Sequence, residues 1–174
     1  MAEQPFVEVK ANGIISAKQG RNARSPYEHQ KQAMANLDTI DETSNYSTLV
    51  VLPTGGGKTY TASSWLLRHA VNQHKKVLWI AHRQMLLDQA AESFQKYAYS
   101  EILPNVSSFS YRIVSGATSH DRTIDISPND NLLIASKDSL GRNIDVLDRW
   151  LNGDDEVFLI IDDYAIIGLS QRAA

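Results

Sequence analysis

The stretch that most constrains this chain is Leu52-Pro53-Thr54-Gly55-Gly56-Gly57-Lys58-Thr59, because of what lies on either side of it. Ahead of it runs Thr48-Leu49-Val50-Val51-Leu52, apolar and rich in β-branched residues, which reads as a buried strand. Behind it Ala62, Leu66 and Ala70 recur at helical spacing. A strand must therefore turn abruptly into a helix through three successive glycines. Glycines let the backbone turn tightly and present its N–H groups to an anion, and the helix N-terminus adds its dipole. Lys58 supplies a point charge for the β- and γ-phosphates of a nucleotide, and the Thr59 hydroxyl can ligate Mg²⁺. The strict phosphate-loop pattern asks for glycine at position 52, where this chain has leucine; the Gly-Lys-Thr end and the strand–loop–helix setting are intact.

The rest of the chain repeats the alternation. A helix is expected from the capping box Ser25-Pro26-Tyr27-Glu28, with Ala33, Met34 and Leu37 on its buried face. Further strands are expected at Lys76–Ala81, Tyr111–Val114, Asn131–Ala135 and Val157–Ile161. Leu87, Ala90, Ala91 and Phe94 mark one intervening helix; Leu140, Ile144, Leu147 and Leu151 mark another. The strands are continuously apolar rather than alternating, as in a parallel sheet covered by helices on both faces. The fold class is therefore α/β and doubly wound, with ligands at the carboxyl ends of the strands. Residues 1–24 are polar and mixed and read as an N-terminal extension, with short strands possible only at Phe6–Val9 and Ile14-Ile15; residues 25–174 form the domain. Trp65, Trp79 and Trp150 read as core or half-core, not as base-stacking platforms.

A phosphate loop calls for a second element, an apolar strand ending in carboxylates. Val157–Ile161 followed by Asp162-Asp163 supplies it: Asp162 to hold the metal, Asp163 where a general base stands. By itself such a strand end is a solvated acidic turn; paired with the loop upstream, the metal reading is favoured. Composition removes other chemistries. The chain has no cysteine, so disulfides, thiolate nucleophiles and cysteine-held zinc or iron–sulfur are excluded, and its five histidines lack metal spacing. A net charge of −3 gives no global field for nucleic acid, leaving only local basic patches. No apolar run approaches the ~18 residues of a membrane span and no signal-peptide core is present, so no membrane association and a cytoplasmic location are expected.

Together these residues resemble superfamily 2 helicases and translocases, most closely the Res-subunit group of type III restriction enzymes among DEAD/DEAH-box-like proteins. Five stretches carry the likeness across residues 25–163. Pro53–Thr59 resembles motif I, in which a non-glycine at the Leu52 position is usual. Tyr27-Glu28-His29-Gln30 resembles the upstream glutamine motif. Val77–Arg83 with Leu86–Ala90 resembles motif Ia, Ile134–Leu140 a later motif on the nucleic-acid face, and Leu159–Asp163 motif II. The resemblance implies a P-loop, RecA-like three-layer motor lobe that binds ATP and Mg²⁺ and contacts a nucleic-acid backbone, DNA rather than RNA. It implies nucleotide contacts from Gln30 on the adenine edge, from Thr54, Gly55, Gly56 and Gly57, and from Lys58 and Thr59. Tyr27 either stacks on the base or simply packs. His82, Arg83, Ser136 and Lys137 are the implied nucleic-acid contacts; each also has a plainer role, His82 as a hydrogen-bonded structural histidine, Arg83 as a surface charge, and Ser136 and Lys137 in capping the following helix.

The sequence departs from the family in three ways. Motif II reads Asp162-Asp163-Tyr164-Ala165 where Asp-Glu is usual, and a water-orienting group displaced by ~1 Å can cost on the order of 10²-fold. Motif III is not found, and Ile166–Ala174 resembles nothing in the family. The second RecA-like lobe, whose arginine finger is worth ~10³–10⁵ in related NTPases, is not among the 174 residues. The expectation is an ATP-binding first lobe that hydrolyses weakly alone, cannot unwind a duplex, and has a second lobe or restriction-system subunit as partner. The alternative is a non-catalytic remnant that binds nucleic acid or protein.

Overall fold

A computed structural model describes residues 9–43, 45–52, 57–153 and 156–162, and the backbone of 166–171. Its elements in chain order are β1 (Asn12–Ser16), α1 (Glu28–Asp41), β2 (Tyr46–Leu49), α2 (Lys58–His69), β3 (Lys76–Ala81), α3 (Gln84–Tyr97), β4 (Ser108–Val114), β5 (Leu132–Ser136), α4 (Lys137–Arg142), α5 (Val146–Leu151), β6 (Glu156–Ile161) and β7 (Ile166–Gln171). The strands form one sheet in the order β1-β4-β5-β3-β6-β7-β2. β4, β5, β3 and β6 are mutually parallel, and β2 shares their direction because both β2 and β6 run antiparallel to β7. β1 closes the far edge antiparallel to β4, so Ile14-Ile15 from the N-terminal segment join the common sheet.

Period-two alternation sends successive strand residues to opposite faces, and each face is packed with helices. Val77 and Trp79 of β3 with Phe158 and Ile160 of β6 meet Trp65, Leu66, Leu87 and Phe94 from α2 and α3. Leu78, Leu133 and Ala135 meet Leu140 of α4 and Trp150 of α5 on the other side. All three tryptophans are core residues, as expected, and each indole N–H has an acceptor: Asp38 for Trp65, Asp162 for Trp79 and the Asp130 carbonyl for Trp150. Among the described residues, no helix is long and apolar enough to cross a membrane.

Four local expectations are corrected. The strand ahead of the glycines, expected as a buried run at Thr48–Leu52, is β2 at Tyr46–Leu49; it is an edge strand with alternating burial, so Leu49 and Val51 are exposed. The first helix begins at Glu28, with Tyr27 rather than Ser25 as its N-cap. Proline at 26 disfavours helical backbone at Ser25; Tyr27 is itself extended, and its N–H donates to Oε1 of Gln30 at 2.9 Å. The helix expected to run from Leu140 to Leu151 is two short helices. Asn143 leaves helical geometry at φ −141°, and Ile144, placed on the buried face by its spacing, is 66% exposed. Finally, 166–171, unlike anything in the family by sequence, forms β7, an antiparallel strand inserted between β6 and β2.

Candidate functional site

The register of the sheet assembles the site. Ala81 lies opposite Ser136 on β5, and Ile80 opposite Ile161 on β6. Ile166 of β7 pairs with both Ile161 and Leu49, so β2 and β6 reach the same end of the sheet, two strand spacings or roughly 10 Å apart. Beyond Leu49 lies the glycine loop; beyond Ile161 lies Asp162; beyond Ala81 lie His82 and Arg83; beyond Ser136 lies Lys137. The strand ends that carry the candidate residues are thus neighbours along one rim. Thr54, Gly55, Gly56 and Asp163 lie outside the described residues.

Gly57 ends the loop as the N-cap of α2, with φ 74° and ψ 49°, a left-handed conformation that glycine adopts without strain. A Cβ there would lie 2.5 Å from Nε2 of Gln30. Gln30 is fully buried, and it links two helix starts: its carbonyl oxygen caps Tyr27 while its amide packs on Gly57. Arg24 approaches the same glycine, its guanidinium 4.0 Å above the Tyr60 ring and donating to the Tyr97 hydroxyl at 2.9 Å. The Thr61 N–H and hydroxyl both donate to the Gly57 carbonyl at 2.9 Å, which fixes the first turn. That turn holds no acidic residue and takes no side-chain cap. An N-terminus of this kind favours an anion. Lys58 is exposed and Thr59 half-buried at its start.

Asp162 stands across the rim. Phe158 and Ile160 face the α2–α3 core, and alternation puts Asp162 on that same side of the sheet as α2. Trp79 Nε1–H donates to its Oδ2 at 3.2 Å. Tyr27 is 65% exposed, its ring stacked beside His29 at 5.8 Å, so it is not a core residue. His82, Arg83 and Lys137 are exposed. Arg83 is the N-cap residue of α3. Ser136 is buried and caps α4, its Oγ accepting from the Ser139 N–H at 3.2 Å. A cavity of about 850 Å³ runs along the flank of α1 and α2; it touches Arg24 and Tyr60 but not Lys58, Thr59 or Asp162. Burial raises the Tyr60 hydroxyl above its ordinary value there, against the lowering pull of Arg24.

Sequence reasoning missed Arg24 and the role of Trp79. Arg24 lies in a polar segment with no periodicity to mark it. Trp79 is core, as its apolar strand implies, but nothing in a local pattern says that its N–H crosses to the next strand.

A sheet whose parallel strands carry a glycine-capped helix start and a carboxylate on one rim, with helices on both faces, defines the P-loop, RecA-like class. Within that class, the family model described as type III restriction enzyme, res subunit, matches residues 24–164. The chain belongs to that family and is the N-terminal, helicase-like motor lobe of a superfamily 2 protein. No curated protein matches it.

Proposed function

We propose that this lobe binds ATP with Mg²⁺ at the β2–β6 rim and takes a nucleic-acid backbone, DNA in preference to RNA, on the neighbouring strand ends. The glycine-rich sequence Thr54–Gly57 is the candidate to offer main-chain N–H groups to the phosphates, with Lys58 adding its charge. Thr59 and Asp162 are the groups that would hold the metal, which supplies charge neutralisation at the phosphates. Asp163 is the candidate for orienting water. Tyr27 and the Gln30 helix start border the base; His82, Arg83 and Lys137 are the candidates for backbone contact. The partner implied is a second RecA-like lobe or a restriction-system subunit, and without its arginine this lobe hydrolyses weakly and does not unwind.

The observation that carries the reading is the rim: an acid-free, glycine-capped helix start and a carboxylate on the same face, at the same end of the sheet. Titration of a fluorescent ATP analogue with and without Mg²⁺ tests it. Saturable, Mg²⁺-strengthened binding is expected, weakened at least tenfold by Lys58→Ala. An isotherm that ignores this substitution overturns the reading. Turnover that stays negligible with DNA present then identifies a lobe awaiting its partner.

A further inference from the structure

Each of the three tryptophans has its N–H engaged, but the acceptors differ in kind. Trp150 uses a main-chain carbonyl, and Trp65 uses Asp38 at the α1–α2 seam. Trp79 alone donates to a carboxylate on the rim described above. An indole offers one donor and no acceptor, in a direction fixed by its ring. The Trp79 ring is rigidly held. It is 0% exposed and meets Phe94 edge to face at 5.7 Å and 85°. β3 and β6 are parallel neighbours with Trp79 opposite Ile160, so Asp162 is the residue two positions further along the adjoining strand. At 3.2 Å the bond lies at the long end of the ordinary N–H···O range, so what it contributes is direction: the rigid indole gives the carboxylate one fixed donor to face.

We propose that Trp79 is a positioning residue for the metal-holding carboxylate: its N–H pins one oxygen of Asp162 and turns the other toward the start of α2. The inference rests on the nucleotide reading above and adds to it. An aspartate side chain has two rotatable torsions, and a cation site needs such a group held still. The core supplies that constraint from below. A buried indole also needs an acceptor in any case. If Asp162 merely serves that need, removing the N–H disturbs packing and leaves metal affinity alone.

The test uses ¹H–¹⁵N spectra of the whole chain with assigned indole resonances, titrated with Mg²⁺ in the presence of ADP. Trp65 and Trp150 are internal controls. The expected result is a saturable shift of the Trp79 indole signal, with the other two unmoved. Trp79→Phe keeps the Phe94 contact and deletes the donor. It is expected to raise the Mg²⁺ midpoint for nucleotide binding on the order of 10–100-fold, the range typical of lost outer-sphere partners. Retention of the Trp65 and Trp150 signals in that variant checks that it folds; where it does not, the wild-type titration decides. Nucleotide that binds with Mg²⁺ while the Trp79 signal stays still, or a folded Trp79→Phe with an unchanged midpoint, overturns this inference and leaves the nucleotide site standing. Absence of nucleotide binding in the wild type overturns both.

Discussion

Gly57 shows why the last glycine of the loop is not interchangeable with alanine. Two independent constraints meet at it. Its φ of 74° is left-handed, which costs a residue with a Cβ roughly 1–2 kcal/mol. The Cβ would also press on the Gln30 amide, whose other end caps Tyr27. Displacing that side chain removes a hydrogen bond worth about 0.5–1.5 kcal/mol net. Gly57→Ala is therefore expected to destabilise the chain by about 2 kcal/mol or more in urea unfolding. The two parts separate in the double variant. Gln30→Ala gives the added methyl room but leaves the backbone strain, so Gly57→Ala should cost less in that background than alone. Strict additivity would show that the two residues are not coupled. The same contact explains a difference between sequence and structure. A lone glutamine early in a helix reads as solvated; here it is buried, with its amide against a glycine of another element, a contact that no spacing reveals.

At the scale of elements, legibility followed the strength of the local pattern. Lys76–Ala81 forms a strand with the bounds its apolar run suggests, and Leu87, Ala90, Ala91 and Phe94 all face the core. These segments are dictated by burial on both sides of the sheet. The stretch after β5 misled because its leucine spacing was continuous while its backbone was not. Gly141 weakens the helix and Asn143 ends it, so the phase is reset and Trp150 takes the buried position instead. β7 was missed for a different reason. The apolar run Ile166-Ile167-Gly168-Leu169 was visible, but its place between β6 and β2 depends on pairing with residues distant in sequence as well as on a short return from β6. The split helix makes a direct prediction. Leu140 is 5% exposed, and Leu140→Ala should cost about 2–4 kcal/mol. Ile144→Ser should stay within about 0.5 kcal/mol of wild type, as surface changes do. Equal losses at both positions in chemical denaturation would restore the single helix.

Across the whole molecule, the rim depends on how α1 is held, because α1 carries Gln30 to Gly57. The other end of that helix is tied down at His69. Its ring stacks on Trp65 at 4.6 Å, its Nε2 lies 2.9 Å from Asp38, and its Nδ1 lies 3.9 Å from Asp41. Burial lowers the His69 pKa; Asp38 and Asp41 pull it back up, and burial prevails. The folded protein therefore takes up this proton less readily than the unfolded chain. As pH falls through the ordinary imidazole value of about 6.5, the unfolded state binds the proton first, and stability drops. Above that value the His69 contribution is constant; below the folded pKa the loss is complete. His69→Gln removes the titration while keeping a polar side chain between the helices. Unfolding free energies measured from pH 7.5 to 5.5 should fall more steeply for wild type than for the variant. The other four histidines are present in both proteins and cancel in the comparison. Parallel profiles would mean that the imidazole titrates alike in both states. A wild type that gains stability on acidification would mean that the two carboxylates, not burial, govern it, and that protonation tightens the α1–α2 seam instead of loosening it.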